Sequence, residues 1–129
     1  MSKTIDIEIF DINSAKLTEL NLAMVMQLSA EPITIKELIA NRVRAEVARY
    51  NGGEIFAGLV QPTESEIKLN NSANKIDVEK QIDIALKAFE RNQFFLLIDD
   101  EQVTELDKEI ELTENTHIAF YRLTPVVGG

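Results

Sequence analysis

The chain has no cysteine and no tryptophan, and only one histidine, three prolines and five glycines in 129 residues. Without cysteine there is no disulfide, no thiolate metal site and no cysteine nucleophile, and the expected compartment is the reducing cytoplasm. The lone histidine, His117, has neither a thiol nor a second imidazole to join it, so no metal site is expected. Basic charge is scarce as well: 13 Lys and Arg against 22 Asp and Glu leave a net charge of −9. That balance opposes nucleic-acid phosphates and anionic membranes as partners and suits a protein with a basic face. The opening stretch, MSKTIDIEIFD, alternates acids with isoleucines, so neither a signal peptide nor a membrane anchor is expected.

What is present describes an ordinary globular chain, 45% hydrophobic and 27% charged. A chain of this length buries roughly two-thirds of its unfolded surface. In Thr4–Asp11 (TIDIEIFD), Ile5, Ile7 and Ile9 alternate with acids, the pattern of a half-buried strand. Asn13-Ser14 supplies a turn, and Leu20–Leu28 alternates again, with Leu20, Leu22, Met24, Met26 and Leu28 expected on one face. The two runs predict an antiparallel hairpin.

The period then changes. Thr34 and Glu37 have the spacing of a capping box, and Ile35, Leu38, Ile39, Val43 and Val47 recur at helical steps. Lys36, Arg42, Arg44 and Arg49 are expected to turn outward, and Asn51-Gly52-Gly53 to stop the helix. Residues 54–74 are irregular, with Gly58, Pro62 and an Asn70–Asn74 polar loop; Thr63 and Glu66 could cap a helical turn there. A second helix is expected over Asp77–Arg91, with Val78, Ile82, Ala85 and Phe89 on its stripe and Asn92 as a left-handed cap. Phe94–Ile98 (FFLLI) predicts a strand buried on both faces, Asp99-Asp100 a turn, Gln102–Leu106 a return strand and Thr116–Leu123 a final strand. The order implies an α+β layer architecture in which the last strand returns to the middle of the sheet.

No enzyme active site emerges. Asp99-Asp100-Glu101 is explained by a turn with solvated acids. Gly52-Gly53 lacks the context of a phosphate-binding loop, and no serine stands at triad spacing. Arg42, Arg44 and Arg49 form either a patch for an acidic partner or, more simply, a solvated helix face. If Val25 shares a sheet face with Ala119 and Tyr121, the three form an apolar docking patch; the alternative is that the inserted segment covers that face.

The closing LTPVVGG raises a different kind of site. Gly128-Gly129 could thread a narrow channel because neither residue has a side chain, while Pro125, Val126 and Val127 bias the segment to an extended shape. A carboxylate is a poor electrophile until activated, so covalent chemistry at Gly129 would depend on another protein. The competing reading is a frayed tail.

The stretch HIAFYRLTPVVGG, following LLIDDEQVTELDKEIELTENT, resembles the end of the β-grasp sulfur carriers, relatives of ubiquitin that include the small subunit of molybdopterin synthase and the thiamine-pathway carrier. The matching positions are Ile118-Ala119-Phe120 and Pro125-Val126-Val127-Gly128-Gly129, with Tyr121-Arg122-Leu123-Thr124 interposed where that family's motif is shorter. The resemblance covers the last third of the chain. It implies a single β-grasp domain over residues 1–122, a mixed sheet with a crossing helix, an insertion with an additional helix at about 54–93, and a tail over residues 123–129. It further implies that an E1-like enzyme adenylates Gly129 using ATP and magnesium. Gly128 and Gly129 would enter the active site, with Leu123, Thr124, Pro125, Val126 and Val127 along the channel. The activated carboxyl would then pass to a sulfur-using enzyme as a thiocarboxylate or to an acceptor protein's amine. The extra helix favours a modifier, since insertions commonly build interaction surfaces. A non-covalent β-grasp interaction module with an idle tail is the alternative.

Overall fold

Isoleucines at every second position make residues 4–13 a strand, and that strand organises the sheet. The structure is a computed structural model that describes residues 4–13, 20–51 and 77–122. The chain divides into two compact units, Met1–Ile35 with Ala88–Gly129, and Lys36–Lys87. The described residues of the first form seven strands: β1 (Thr4–Asn13), β2 (Leu20–Ser29), β3 (Ile33–Thr34), β4 (Phe94–Ile98), β5 (Glu101–Val103), β6 (Glu109–Ile110) and β7 (Ile118–Arg122). Two helices complete the described elements, α1 (Ile35–Asn51) and α2 (Val78–Glu90). The class is α+β, as the order of patterns implied.

Five strands form one mixed sheet in the order β2-β1-β7-β4-β5. The first two pair antiparallel, β7 lies parallel to β1, and β4 is antiparallel to both β7 and β5. The last strand therefore occupies the centre. One face carries Ile7 and Ile9 of β1, Met24, Met26 and Leu28 of β2, Phe94 and Leu96 of β4, and Ile118 and Phe120 of β7, all buried. Each such side chain contributes roughly 1.5–3 kcal/mol by leaving water, which makes this face the main source of the sheet's stability.

The hairpin departs from simple alternation at one point. Ile9 stands opposite Met24 but Phe10 opposite Leu22, so Ala23 is an extra residue on β2. The bulge resets the phase. Met24, Met26 and Leu28 face inward as expected, whereas Leu22 is 55% exposed on the opposite side, and the expected single face from Leu20 to Leu28 is corrected. A second correction concerns FFLLI. Its inward residues Phe94 and Leu96 are buried, but Phe95 and Leu97 on the outer face are only half-buried. The return strand is shorter than expected, Glu101–Val103, as is the final strand, Ile118–Arg122.

The two-residue strands β3 and β6 had no signal in the sequence. Ile33 pairs with Ile110 and Thr34 with Glu109, and the Ile35 amide donates to the Lys108 carbonyl at 2.9 Å. This ladder ties the first residue of α1 to the segment that leads towards β7.

The apolar stripe of α1 is buried at Leu38, Ile39, Val43 and Val47. Arg42 is not turned outward as expected: it is 0% exposed, and its Nε donates to Glu46 Oε2 at 2.7 Å, with Glu46 1% exposed. Burial is tolerable because each charge is met by the other one helical turn away. Arg44 does point outward and bonds Asn41 Oδ1 at 2.9 Å. Asp77 caps α2, its Oδ1 accepting from the Glu79 and Lys80 amides at 3.0 and 3.3 Å. The other end closes as expected at Asn92, in the left-handed region with φ 60°. Its amide donates to the Phe89 carbonyl and that of Gln93 to the Ala88 carbonyl, the paired bonds of a Schellman cap.

Asp99 and Asp100 also adopt left-handed conformations, φ 50° and 68°, as a two-residue hairpin turn requires. Asp99 does more than turn the chain. Its amide donates to the His117 carbonyl and its Oδ1 accepts from the His117 amide, both at 2.8 Å, which fixes the start of β7. Asp99→Ala should cost about 1–2 kcal/mol, through loss of that acceptor and a poorer fit to positive φ. Asp99→Asn, which keeps both features, should cost less than half as much. Urea midpoints at unchanged slope would measure the difference, and equal losses would contradict the assigned role.

Candidate functional site

The sheet's outer face is built by residues of the opposite phase. On β1 these are Asp6, Glu8, Phe10 and Ile12, so a strand that begins charged on this side becomes apolar from its middle onward. Val25 stands opposite Glu8 and Leu22 opposite Phe10 on β2. Ala119 and Tyr121 on β7 stand beside Phe10 and Ile12, and on their other flank beside Leu97 and Phe95 of β4. Pairing across strands thus brings Val25, Ala119 and Tyr121 onto one face, with Val25 53% exposed. The Phe95 and Tyr121 rings meet at 6.2 Å between centroids, tilted by 48°.

Five further contributors, Phe10, Ile12, Leu22, Phe95 and Leu97, did not stand out in the sequence as site residues. The signal was available for Phe10 and Ile12, which occupy the phase that Asp6 and Glu8 had marked as solvent-facing. It was not available for Leu22, whose orientation depends on the bulge.

Two shallow hollows indent this face, each about 270 Å³. One is lined by Phe10, Ile12, Leu97 and Ala119 with Asp100 and His117 at its margin; the other by Phe95, Leu97, Gln102 and Tyr121. Small-molecule sites are usually concave clefts of about 300–1,000 Å³ that enclose most of their ligand. Open hollows of this size are better matched to single side chains of a docked protein. The charged residues on this face are acidic among the described residues: Asp6 and Glu8 at one end, Asp100 at the other. Arg122 lies on the inner phase, 3.7 Å from Asp11.

The expected chemistry of the tail falls elsewhere. Leu123, Thr124, Pro125, Val126, Val127, Gly128 and Gly129 lie outside the described residues, as do Thr63, Glu66 and the Asn70–Asn74 stretch. Among the described residues, no group of three or more His, Asp or Glu side chains could hold a metal ion, and no helix is long and apolar enough to cross a membrane. Of the proposed arginine patch, Arg42 is removed by burial and Arg44 is exposed.

No family model matches the chain, and neither a curated protein nor a solved structure was found to be similar to it. The likeness to sulfur carriers therefore rests on the residues quoted above.

Proposed function

We propose that the protein is a ubiquitin-like β-grasp carrier or modifier, activated at Gly129 by a partner enzyme. The observation that carries this reading is the position of β7: the last strand lies at the centre of the sheet, parallel to β1 and flanked by the β1–β2 and β4–β5 hairpins. A β-grasp sheet needs that arrangement, and the order of strand and helix patterns along the sequence implied a last strand in the middle of the sheet. Gly129 is the seventh residue after Arg122, a length that spans at most about 25 Å when fully extended. That is enough to bring a terminal carboxylate into an enclosed active site while the sheet stays outside.

In this reading the chain contributes a substrate, and the catalyst is the partner. A Gly129 carboxylate oxygen attacks the α-phosphorus of magnesium-bound ATP; the bond to the β-phosphate oxygen breaks and pyrophosphate leaves. The resulting acyl-adenylate has AMP as its leaving group. Hydrosulfide supplied by a partner displaces AMP and loses its proton to give a thiocarboxylate, or an acceptor amine displaces AMP and loses a proton to give an amide. The chain has no cysteine, so every thiol in either branch belongs to a partner.

Intact mass of the protein from its own cells, beside a Gly129-deleted control, tests the proposal. The mass shift of one oxygen replaced by one sulfur would identify a carrier. Larger adducts joined through Gly129 and missing from the control would identify a modifier. The same spectrum reports the last residue of the mature chain. A mature chain that continues past Gly129, or an unmodified one that stays inert with ATP and candidate activating enzymes, would sink the reading.

The exposed apolar residues of the outer face favour a second reading, a non-covalent interaction module. Here Tyr121→Asp should abolish partner binding and deletion of Gly129 should leave it intact, the reverse of the dependence expected for covalent transfer.

A further inference from the structure

The five-stranded sheet has two edges, and they are built differently. β5 is three residues long, contains Glu101 and follows the Asp99-Asp100 turn. Short length and charge are the usual protections of an edge against pairing with another chain. β2 has neither. It is ten residues long and contains no charged residue, no proline and no glycine. Both large apolar side chains that are exposed among the described residues, Leu22 and Val25, belong to it. Among the described residues β1 is its only strand partner. In a chain of net charge −9, one uncharged stripe has been left along a sheet edge.

We infer that Met24–Ser29 pairs antiparallel with the same segment of a second copy, about a twofold axis at Met26, so that the sheet continues across the dimer. The segment lies on the regular side of the Ala23 bulge, and its two phases are self-complementary in this register. Met26 stands opposite the partner's Met26, and Met24 opposite the partner's Leu28, all on the inner phase. Val25 stands opposite the partner's Gln27 on the outer phase. A one-residue slip to an axis at Gln27 would set Val25 against the partner's Ser29, a shorter side chain than Gln27, and bring Gln27 against itself.

Charge does not oppose the pairing locally. The nearest outer-face acids are Asp6 and Glu8, one strand further in on β1. Across the dimer those rows are three strand spacings apart, roughly 14 Å. That exceeds the screening length of about 8 Å at physiological salt. What remains is repulsion between two chains that are acidic overall, so the dimer should tighten as salt rises.

Sedimentation of the full chain over a concentration series tests this, with two double variants at exposed positions. Val25→Lys/Gln27→Lys sets like charges opposite each other twice across the axis and should raise the dimer dissociation constant roughly tenfold or more. Val25→Lys/Gln27→Glu sets opposite charges at the same places and should restore association to near the unmodified level. Circular dichroism confirms that each variant remains folded. A monomer at every concentration, assemblies larger than a dimer, or two variants that behave alike would overturn the proposal. Deleting Gly129 should leave the dimer unchanged, so this inference and the proposed role of the tail fail separately.

Discussion

Phe120→Ala should lower stability by about 3–5 kcal/mol, the cost of removing a phenylalanine from a packed interior. The residue is 0% exposed and lies in the middle of the central strand, opposite Asp11 on one side and Leu96 on the other. Its ring sits 5.9 Å from that of Phe94, tilted by 35°. Truncation removes that contact along with the transfer energy of the ring, and neighbours held in two ladders cannot collapse fully into the space. Since domains are stable by only about 5–15 kcal/mol, the loss is a third or more of the total in most of that range. A melting temperature lower by roughly 10–20 °C would follow for a chain of this size. The adjacent residue supplies the control. Tyr121 is half-buried on the outer phase, and Tyr121→Ala should cost less than half as much. Equal losses in urea titrations would mean that the inner and outer phases of β7 have been assigned wrongly.

Glu46→Ala should be nearly as damaging, again by about 3–5 kcal/mol, for an electrostatic reason. It leaves the Arg42 guanidinium in a site where it is 0% exposed, without the carboxylate that accepts from its Nε at 2.7 Å. Exposure is the deciding quantity. Lys87 and Asp83 form a closely similar i,i+4 pair at 2.9 Å, but with 58% and 63% of their side chains in water. Lys87→Ala should therefore change stability by less than about 1 kcal/mol. A double-mutant cycle separates loss of the buried pair from loss of packing. Arg42→Ala/Glu46→Ala should cost clearly less than the sum of the single substitutions, because each single truncation already removes the interaction the two share. Additive losses would show that the two groups are not coupled.

The same pair shows why some of the fold was legible in the sequence and some was not. The helical period was visible from Ile35, Leu38, Ile39, Val43 and Val47. Arg42 and Glu46 occupy that very stripe, at four-residue steps from Leu38, but the charge of Arg42 argued for the outside and outweighed its position. A charge on an apolar stripe with an opposite charge one turn along is the available sign of a buried pair. Local backbone signals read well: Asn92 closes α2 and Asp99-Asp100 turns β4 into β5, since each depends on what one residue type tolerates at positive φ. The bulge at Ala23 did not, because unbroken alternation in β2 carries no mark of a phase change that exists only relative to β1. Nor did β3 and β6, whose two-residue ladder is too short to impose a period. For the candidate site, alternation alone was enough to group Ala119 with Tyr121. Adding Val25 took a register, and recognising Leu22 took the bulge.

Placing the final strand at the centre also sets a schedule for synthesis. β1 is complete once Asn13 has been added, but its partner on one side is not complete until Arg122. At the usual 5–20 residues per second, the intervening stretch takes roughly 5–20 s to make. Once Ser29 has been added, the isoleucine-rich first strand can pair with β2, but the edge later filled by β7 stays open until Arg122. The nascent chain therefore carries one unfilled edge of β1 while it is still being made, and slower translation of the middle of the message would lengthen that interval without changing a single contact in the finished protein.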